Sequence, residues 1–267
     1  METIGSVGGA MTTTMPEFED QELLRYSRQI LLPEWDLDAQ YRLKQAKVVL
    51  IGVGGLGTVS AQLLARAGVG ELVLVDADTV DDSNLQRQVL FEPEDIGAPK
   101  AMVAAQKLQH TTPWLKVTAR LERVDQASLH EIVQDCTLVL DGTDNFATRD
   151  LINRVCHALG IPLISAAAIG MVGQLSYFPP EGPCYRCLFG ESGIDDRSCA
   201  ANGVLASTPQ IMATLQAHHA LLALGLSLSP LAGKLLLWDG MTGEQRLIRF
   251  SHDPDCVICG DTLGSPL

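Results

Sequence analysis

Residues 47–87 read KVVLIGVGGLGTVSAQLLARAGVGELVLVDADTVDDSNLQR, and this stretch decides the fold. Val48 to Ile51 is apolar, β-branched and too short for a helix, so it reads as a buried strand. Gly52-Val53-Gly54-Gly55-Leu56-Gly57 follows, then a helical pattern with Leu63, Leu64 and Ala67 on one face. A second apolar run, Leu72 to Val75, ends in Asp76. Glycines at Gly52, Gly54, Gly55 and Gly57 let backbone approach phosphate. The helix N-terminus offers free N–H groups and a partial positive charge, and the acid offers an acceptor for ribose hydroxyls. A glycine loop alone also fits a tight strand-to-helix turn. With both strands and the acid in place, nucleotide binding is the stronger reading.

Downstream, Ala98-Pro99-Lys100 opens a helix to about His110, with Lys100 on its first turn. A lysine there can reach a phosphate or simply lie on the surface. Val117 to Leu121 reads as a strand, Gln126 to Val133 as a helix, and Thr137 to Leu140 as a strand. That strand runs into Asp141-Gly142-Thr143-Asp144-Asn145, two carboxylates and an amide at a strand end, where parallel sheets bind ligands. Phe146 to Leu159 is helical, and Pro162 to Ala167 is a further strand. The alternation predicts an α/β fold, a Rossmann-like, doubly wound, mostly parallel sheet. From Gly170 the pattern changes. Gln174–Phe178, Leu235–Trp238 and Gln245–Phe250 read as an antiparallel C-terminal part, with a long helix over about Thr208 to Leu224.

Upstream, Phe18 to Leu32 is an amphipathic helix carrying Arg25 and Arg28, which on pattern alone sit on a solvated face. Gln40 to Gln45 reads as a short helix leading into the first strand. Residues 1–17 lack periodicity and predict a flexible tail, with Met11 and Met15 as alternative starts. The rest, 18–267, predicts a single domain, its nucleotide half at about 47–168 and its second half at about 169–262.

Composition bounds the function. The chain has 267 residues, 46% apolar and 19% charged, with a net charge of −13. That charge would repel nucleic acid and anionic membranes. No apolar run reaches the length of a membrane span, and nothing marks export, so the expected compartment is the cytoplasm. None of the six histidines falls in a block that reads as catalytic.

There are seven cysteines, and four of them form two CxxC pairs: Cys184 with Cys187, and Cys256 with Cys259. Two distant CxxC knuckles predict a closed tetrahedral zinc site of structural type. A redox CxxC opens a helix, whereas the first pair follows a Gly-Pro turn and the second lies in a Pro-containing tail. Cys136 and Cys156 fall beside or on apolar elements and read as inert core thiols. Cys199 follows the acidic loop from Gly190 to Ser198, near Arg197, so both a plain thiol and a reactive one remain open.

Several blocks together resemble the ubiquitin-activating-enzyme superfamily, in its MoeB/ThiF branch of adenylyltransferases acting on sulfur carriers, with a lean toward the molybdopterin enzymes. They are Arg25-Tyr26-Ser27-Arg28-Gln29, the glycine loop, Asp76-Ala77-Asp78-Thr79-Val80, Ser83-Asn84-Leu85-Gln86-Arg87, Gly97-Ala98-Pro99-Lys100, Thr143-Asp144-Asn145 and Pro183-Cys184-Tyr185-Arg186-Cys187. The resemblance implies ATP as substrate, with Gly55 and its neighbours lining the nucleotide and Asp76 on the ribose. Asp78, Ser83 and Asn145 belong to the same nucleotide-binding blocks. Asn84, Arg87 and Lys100 would contact the triphosphate and Asp144 would hold Mg²⁺. Arg28 would reach the triphosphate of the other subunit of a homodimer. The four CxxC cysteines match zinc ligands, and Cys199 matches a cysteine that some members link covalently to a carrier or sulfur donor.

The implied partner is a small ubiquitin-like sulfur carrier ending in Gly-Gly. No sulfurtransferase domain follows the zinc motif, so a separate sulfurtransferase or cysteine desulfurase would supply sulfur. Gly170 stands where the family often has a basic residue, which bears on carrier choice. Two other readings compete. An NAD-dependent dehydrogenase would use the glycine loop and Asp76 equally well but leaves Arg87, Lys100 and Asp144 idle. A zinc-stabilised binding module would have no need to keep those charges.

Overall fold

The computed structural model describes residues 18–190 and 203–260. The expected tail at 1–17, Cys199 with Arg197, and all of the acidic loop beyond Gly190 lie outside the described residues.

Two helices, α1 (Asp20–Ile30) and α2 (Asp36–Gln45), precede β1 (Lys47–Ile51). The lead-in helix is longer than its periodicity suggested, because Asp36 Oδ1 accepts from the Ala39 N–H and starts the turn earlier. The chain continues through α3 (Gly57–Ala67), β2 (Glu71–Val75), α4 (Lys100–Thr111), β3 (Lys116–Arg120), α5 (Gln126–Val133), β4 (Leu138–Asp141), α6 (Phe146–Leu159) and β5 (Leu163–Ile169). Then come β6 (Val172–Phe178), α7 (Tyr185–Phe189), α8 (Ser207–Leu226), β7 (Lys234–Asp239) and β8 (Gln245–Arg249).

The eight strands form one sheet in the order β3-β2-β1-β4-β5-β6-β7-β8. The first five are parallel and the last three antiparallel. Both faces are covered. Val48 and Leu50 of β1 point to a core shared with α2, α3, α4 and α8. Val49 and Ile51 point to a second core shared with α5, α6 and α7. A strand buried on both faces has to be apolar throughout, which is why β1 and β2 read as unbroken apolar runs.

The strand order reverses direction at β1, between β2 and β4. Helices leave from opposite faces there, and a crevice opens beyond the C-terminal strand ends. Helix α8 braces that crevice. Its fully buried Gln216 donates through Nε2 to the carbonyls of Asp141 (2.8 Å) and Ile164 (3.0 Å). Ser60 on α3 donates to the Gln216 Oε1 (2.9 Å). One side chain thus ties α3, α8, β4 and β5 together behind the crevice. No helix among the described residues is long and apolar enough to cross a membrane.

Candidate nucleotide and metal sites

The crevice holds a cavity of about 870 Å³ lined by the β1–α3 loop, the ends of β2, β4 and β5, and the first turns of α4, α6 and α8. Two glycines shape its floor. Gly52 adopts φ +90°, and a Cβ there would lie 2.9 Å from the Gly142 carbonyl oxygen. A Cβ on Gly57 would lie 2.0 Å from the Gly52 oxygen, so the loop closes on itself only with glycine at both places. Helix α3 has no side-chain cap at its N-terminus. Its end amides and their partial positive charge face an anion's place.

Asp76, at the end of β2, is held by two backbone donors, Val53 N–H to Oδ2 at 2.7 Å and Asp78 N–H to Oδ1 at 2.8 Å. Burial raises its carboxyl above the usual value, and the two hydrogen bonds pull it partly back. Each oxygen keeps a lone pair for a hydroxyl donor.

Lys100 is buried, 6% exposed, and its Nζ sits 3.5 Å from Asp78 Oδ2. The open surface-lysine reading is thereby excluded. Arg123 reaches the other oxygen of Asp78 at 3.7 Å. Arg87 is half-buried and donates from Nη1 to the Ser83 carbonyl at 3.0 Å. The Arg87 carbonyl in turn accepts from Gln210 on α8 at 2.8 Å. Asn84 lies beside them, its Oδ1 accepting from the buried Gln88 at 2.9 Å. An anion entering the cavity would meet Lys100 and three arginines, Arg87, Arg123 and Arg149.

Of the two carboxylates beyond β4, the structure gives them different tasks. Asp141 is buried, accepts from Ser165 Oγ and from the Thr143 N–H (2.9 Å), and lies 3.6 Å from Arg149 Nε. Asp144 is exposed at the cavity and forms no ion pair among the described residues. Asn145 caps α6, its Oδ1 accepting from Thr148 N–H at 2.9 Å.

Gly52, Gly54, Gly55, Asp76, Asp78, Asn84, Arg87, Lys100, Asp144 and Asn145 all line one cavity. Three expected residues do not. Gly57 packs behind the loop, Ser83 is exposed and bonded to Asp81, and Arg28 is exposed on α1. Arg123, Arg149, Gln86, Gln88 and Pro209 also line the cavity and were not singled out from the sequence. Pro209 belongs to a helix more than a hundred residues from the glycine loop, and no local pattern marks it. Arg149 offered one cue, since it follows Asn145 by a turn of helix.

On the other side of α6 the four CxxC cysteines converge, with their sulfurs within 4.8 Å of one another. Cys184 and Cys256 sulfurs are 3.7 Å apart, and those of Cys187 and Cys259 are 3.2 Å apart. A tetrahedral zinc with Zn–S near 2.3 Å needs about 3.8 Å between sulfurs, so four soft donors at these separations fit the ion. One step of the sequence argument is corrected. The first pair does open a helix, because Cys184 is the N-cap of the five-residue α7. Such a short helix has too few turns to show periodicity. The partner cysteines sit across a separate loop, however, and that favours a metal over a redox pair. Cys156 is buried and Cys136 half-buried. Burial lifts the Cys136 thiol to about 12 and raises that of Cys156 as well, which keeps both protonated.

The ThiF family matches residues 26–258. The chain is 44% identical to the sulfur carrier protein ThiS adenylyltransferase of Escherichia coli K12, over 93% of this chain and 99% of that one. It is 41% identical to the molybdopterin-synthase adenylyltransferase of the same organism, over 92% of this chain and 100% of that one. Among solved structures, E. coli MccB with ATP superimposes with a TM-score of 0.77 at 25% identity, covering 88% of this chain and 74% of that one.

Proposed function

The chain belongs to the ThiF family, and from that premise we propose that it adenylates the C-terminal glycine carboxylate of a small ubiquitin-like sulfur carrier with ATP. One observation supports this reading above the rest. Arg87, Lys100 and Asn84 share a cavity with an uncommitted Asp144 and a ribose-type acid, Asp76. A dehydrogenase has no use for that charge set.

In this reading the carrier's glycine carboxylate oxygen attacks the α-phosphorus. A new P–O bond forms, the bond to the bridging oxygen of the β-phosphate breaks, and pyrophosphate leaves with the electron pair. The carboxylate is ionised near neutral pH, so no general base is needed. The protein's task is to align two anions and offset their repulsion. Arg87 and Lys100 would hold the phosphates beside the α3 terminus, and Asp144 would hold Mg²⁺, which would supply charge neutralisation for the departing pyrophosphate. Arg28 would complete the site from a second copy of the chain. Cys184, Cys187, Cys256 and Cys259 would hold zinc as a structural ion, which suits a reducing cytoplasm. Residues from 18 onward act as one domain, the nucleotide half joined to a carrier-binding and zinc half. Cys199 remains the position proposed for a covalent link, with sulfur supplied by a separate sulfurtransferase or desulfurase.

For the pathway, our reading is the molybdopterin carrier. The 44% identity to a ThiS adenylyltransferase favours a second reading, the thiamine carrier. Incubation with ATP·Mg and each carrier in turn, followed by intact mass measurement, tests both. A carrier gaining one adenylyl group identifies the substrate. Adenylation of ThiS alone would overturn the molybdopterin reading, and adenylation of neither would overturn the activity.

A further inference from the structure

Helix α6 is gripped at its middle by the cysteine cluster and enters the nucleotide cavity at its N-terminus. At the middle, Asp150 forms a two-pronged ion pair with Arg186, which lies between the two cysteines of the first CxxC, at 2.9 and 2.8 Å. One turn on, the buried Asn153 accepts from the Tyr185 N–H at 2.9 Å and points its Nδ2 at the Cys184 sulfur, 3.5 Å away. At the N-terminus, Arg149 donates to the Thr143 carbonyl, immediately before Asp144. Tyr185 and Arg149 also face each other across the buried interface.

We infer that Asp150 and Asn153 are positioning residues that couple the cysteine metal site to the nucleotide site through α6, so that metal and Mg·ATP each tighten the binding of the other. The physical route is short. The four sulfurs converge from two separate knuckles, and a shared ion would hold the knuckle carrying Cys184, Tyr185 and Arg186 in that arrangement. If the knuckle relaxes, Asn153 loses both partners while 2% exposed, and Asp150 loses its fork. A buried amide without partners is costly, so α6 shifts to recover them, and Asp144 shifts with it. Binding linkage is reciprocal, so nucleotide held at Asp144 must raise the affinity for the metal by the same factor.

This inference rests on the nucleotide and zinc readings above, and its test separates them. The full-length zinc-loaded protein is titrated with 4-(2-pyridylazo)resorcinol to equilibrium, and its zinc dissociation constant is read by absorbance with and without saturating Mg·ATP. Nucleotide binding is measured beside it by calorimetry. The expected result is a zinc dissociation constant lowered by about fivefold or more by the nucleotide, the lower end of ordinary coupling. In Asp150→Asn, zinc and nucleotide still bind, but the ratio of the two dissociation constants falls to about one. A purely structural role would change both constants alike and leave the ratio intact. Should that variant fold poorly, Arg186→Gln severs the same pair from the other side. Nucleotide that binds the native protein without changing its zinc dissociation constant overturns the coupling and leaves the proposed function standing. A protein that binds no nucleotide overturns both.

Discussion

At the scale of single residues, the site depends on a few side chains that neighbours hold in fixed states. Asp144 is exposed at the cavity and is the carboxylate proposed to hold Mg²⁺, while Asp141 is consumed by Ser165, Thr143 and Arg149. Asp144→Ala is therefore expected to abolish Mg²⁺-dependent turnover while circular dichroism and zinc content stay native. Normal turnover would move the active site elsewhere. Asp76 carries a pH signature. Its folded pKa is raised, so the ionised form costs stability above that pKa and the cost is relieved as pH falls. In the proposed reading the ionised form is also the acceptor for ribose. ATP affinity should thus begin to fall on acidification while still above the ordinary aspartate value of about 3.9. Calorimetric titration across that range checks it, and Asp76→Asn should flatten the dependence. Gly57→Ala would drive a methyl into the Gly52 carbonyl, at a cost near the upper end of overpacking, roughly 3 kcal/mol.

At the scale of elements, what could be read in the sequence was whatever depends on local pattern. The spans of α5 and α6 coincide with the periodic segments, and the β1–α3 loop and four cysteines are marked by spacing alone. What escaped was long-range or short-lived. Gln216 reads as one of several polar residues in α8, beside Gln210, Thr214, His218 and His219, and only the fold shows it tying β4 to β5. Pro209 meets Gly55 across the cavity, and α7 is one turn of helix. Gln216→Leu fills the same space but leaves two buried carbonyls without donors. It should cost about 1–3 kcal/mol and lower Tm by about 2–4 °C per kcal/mol. An unchanged melting curve would remove α8's bracing role.

In the whole molecule, the proposed role of Arg28 is to complete the site from a second copy. It is exposed on α1 and away from the cavity of its own chain, so its proposed role requires a second copy. Arg28→Ala and Lys100→Ala should each be inactive. Mixed and allowed to exchange subunits, they should regain about a quarter of native activity, because each mixed dimer rebuilds one intact site. No recovery from dimers shown to exchange would place Arg28 outside the reaction.

Adenylation of a carrier's terminal carboxylate, as proposed, is tested most directly by carrier-dependent exchange of labelled pyrophosphate into ATP. Exchange is expected to require Mg²⁺ and a carrier ending in Gly-Gly, and to stop when the terminal glycine is removed. Absence of exchange with every such carrier, from zinc-loaded protein that binds ATP, would contradict it.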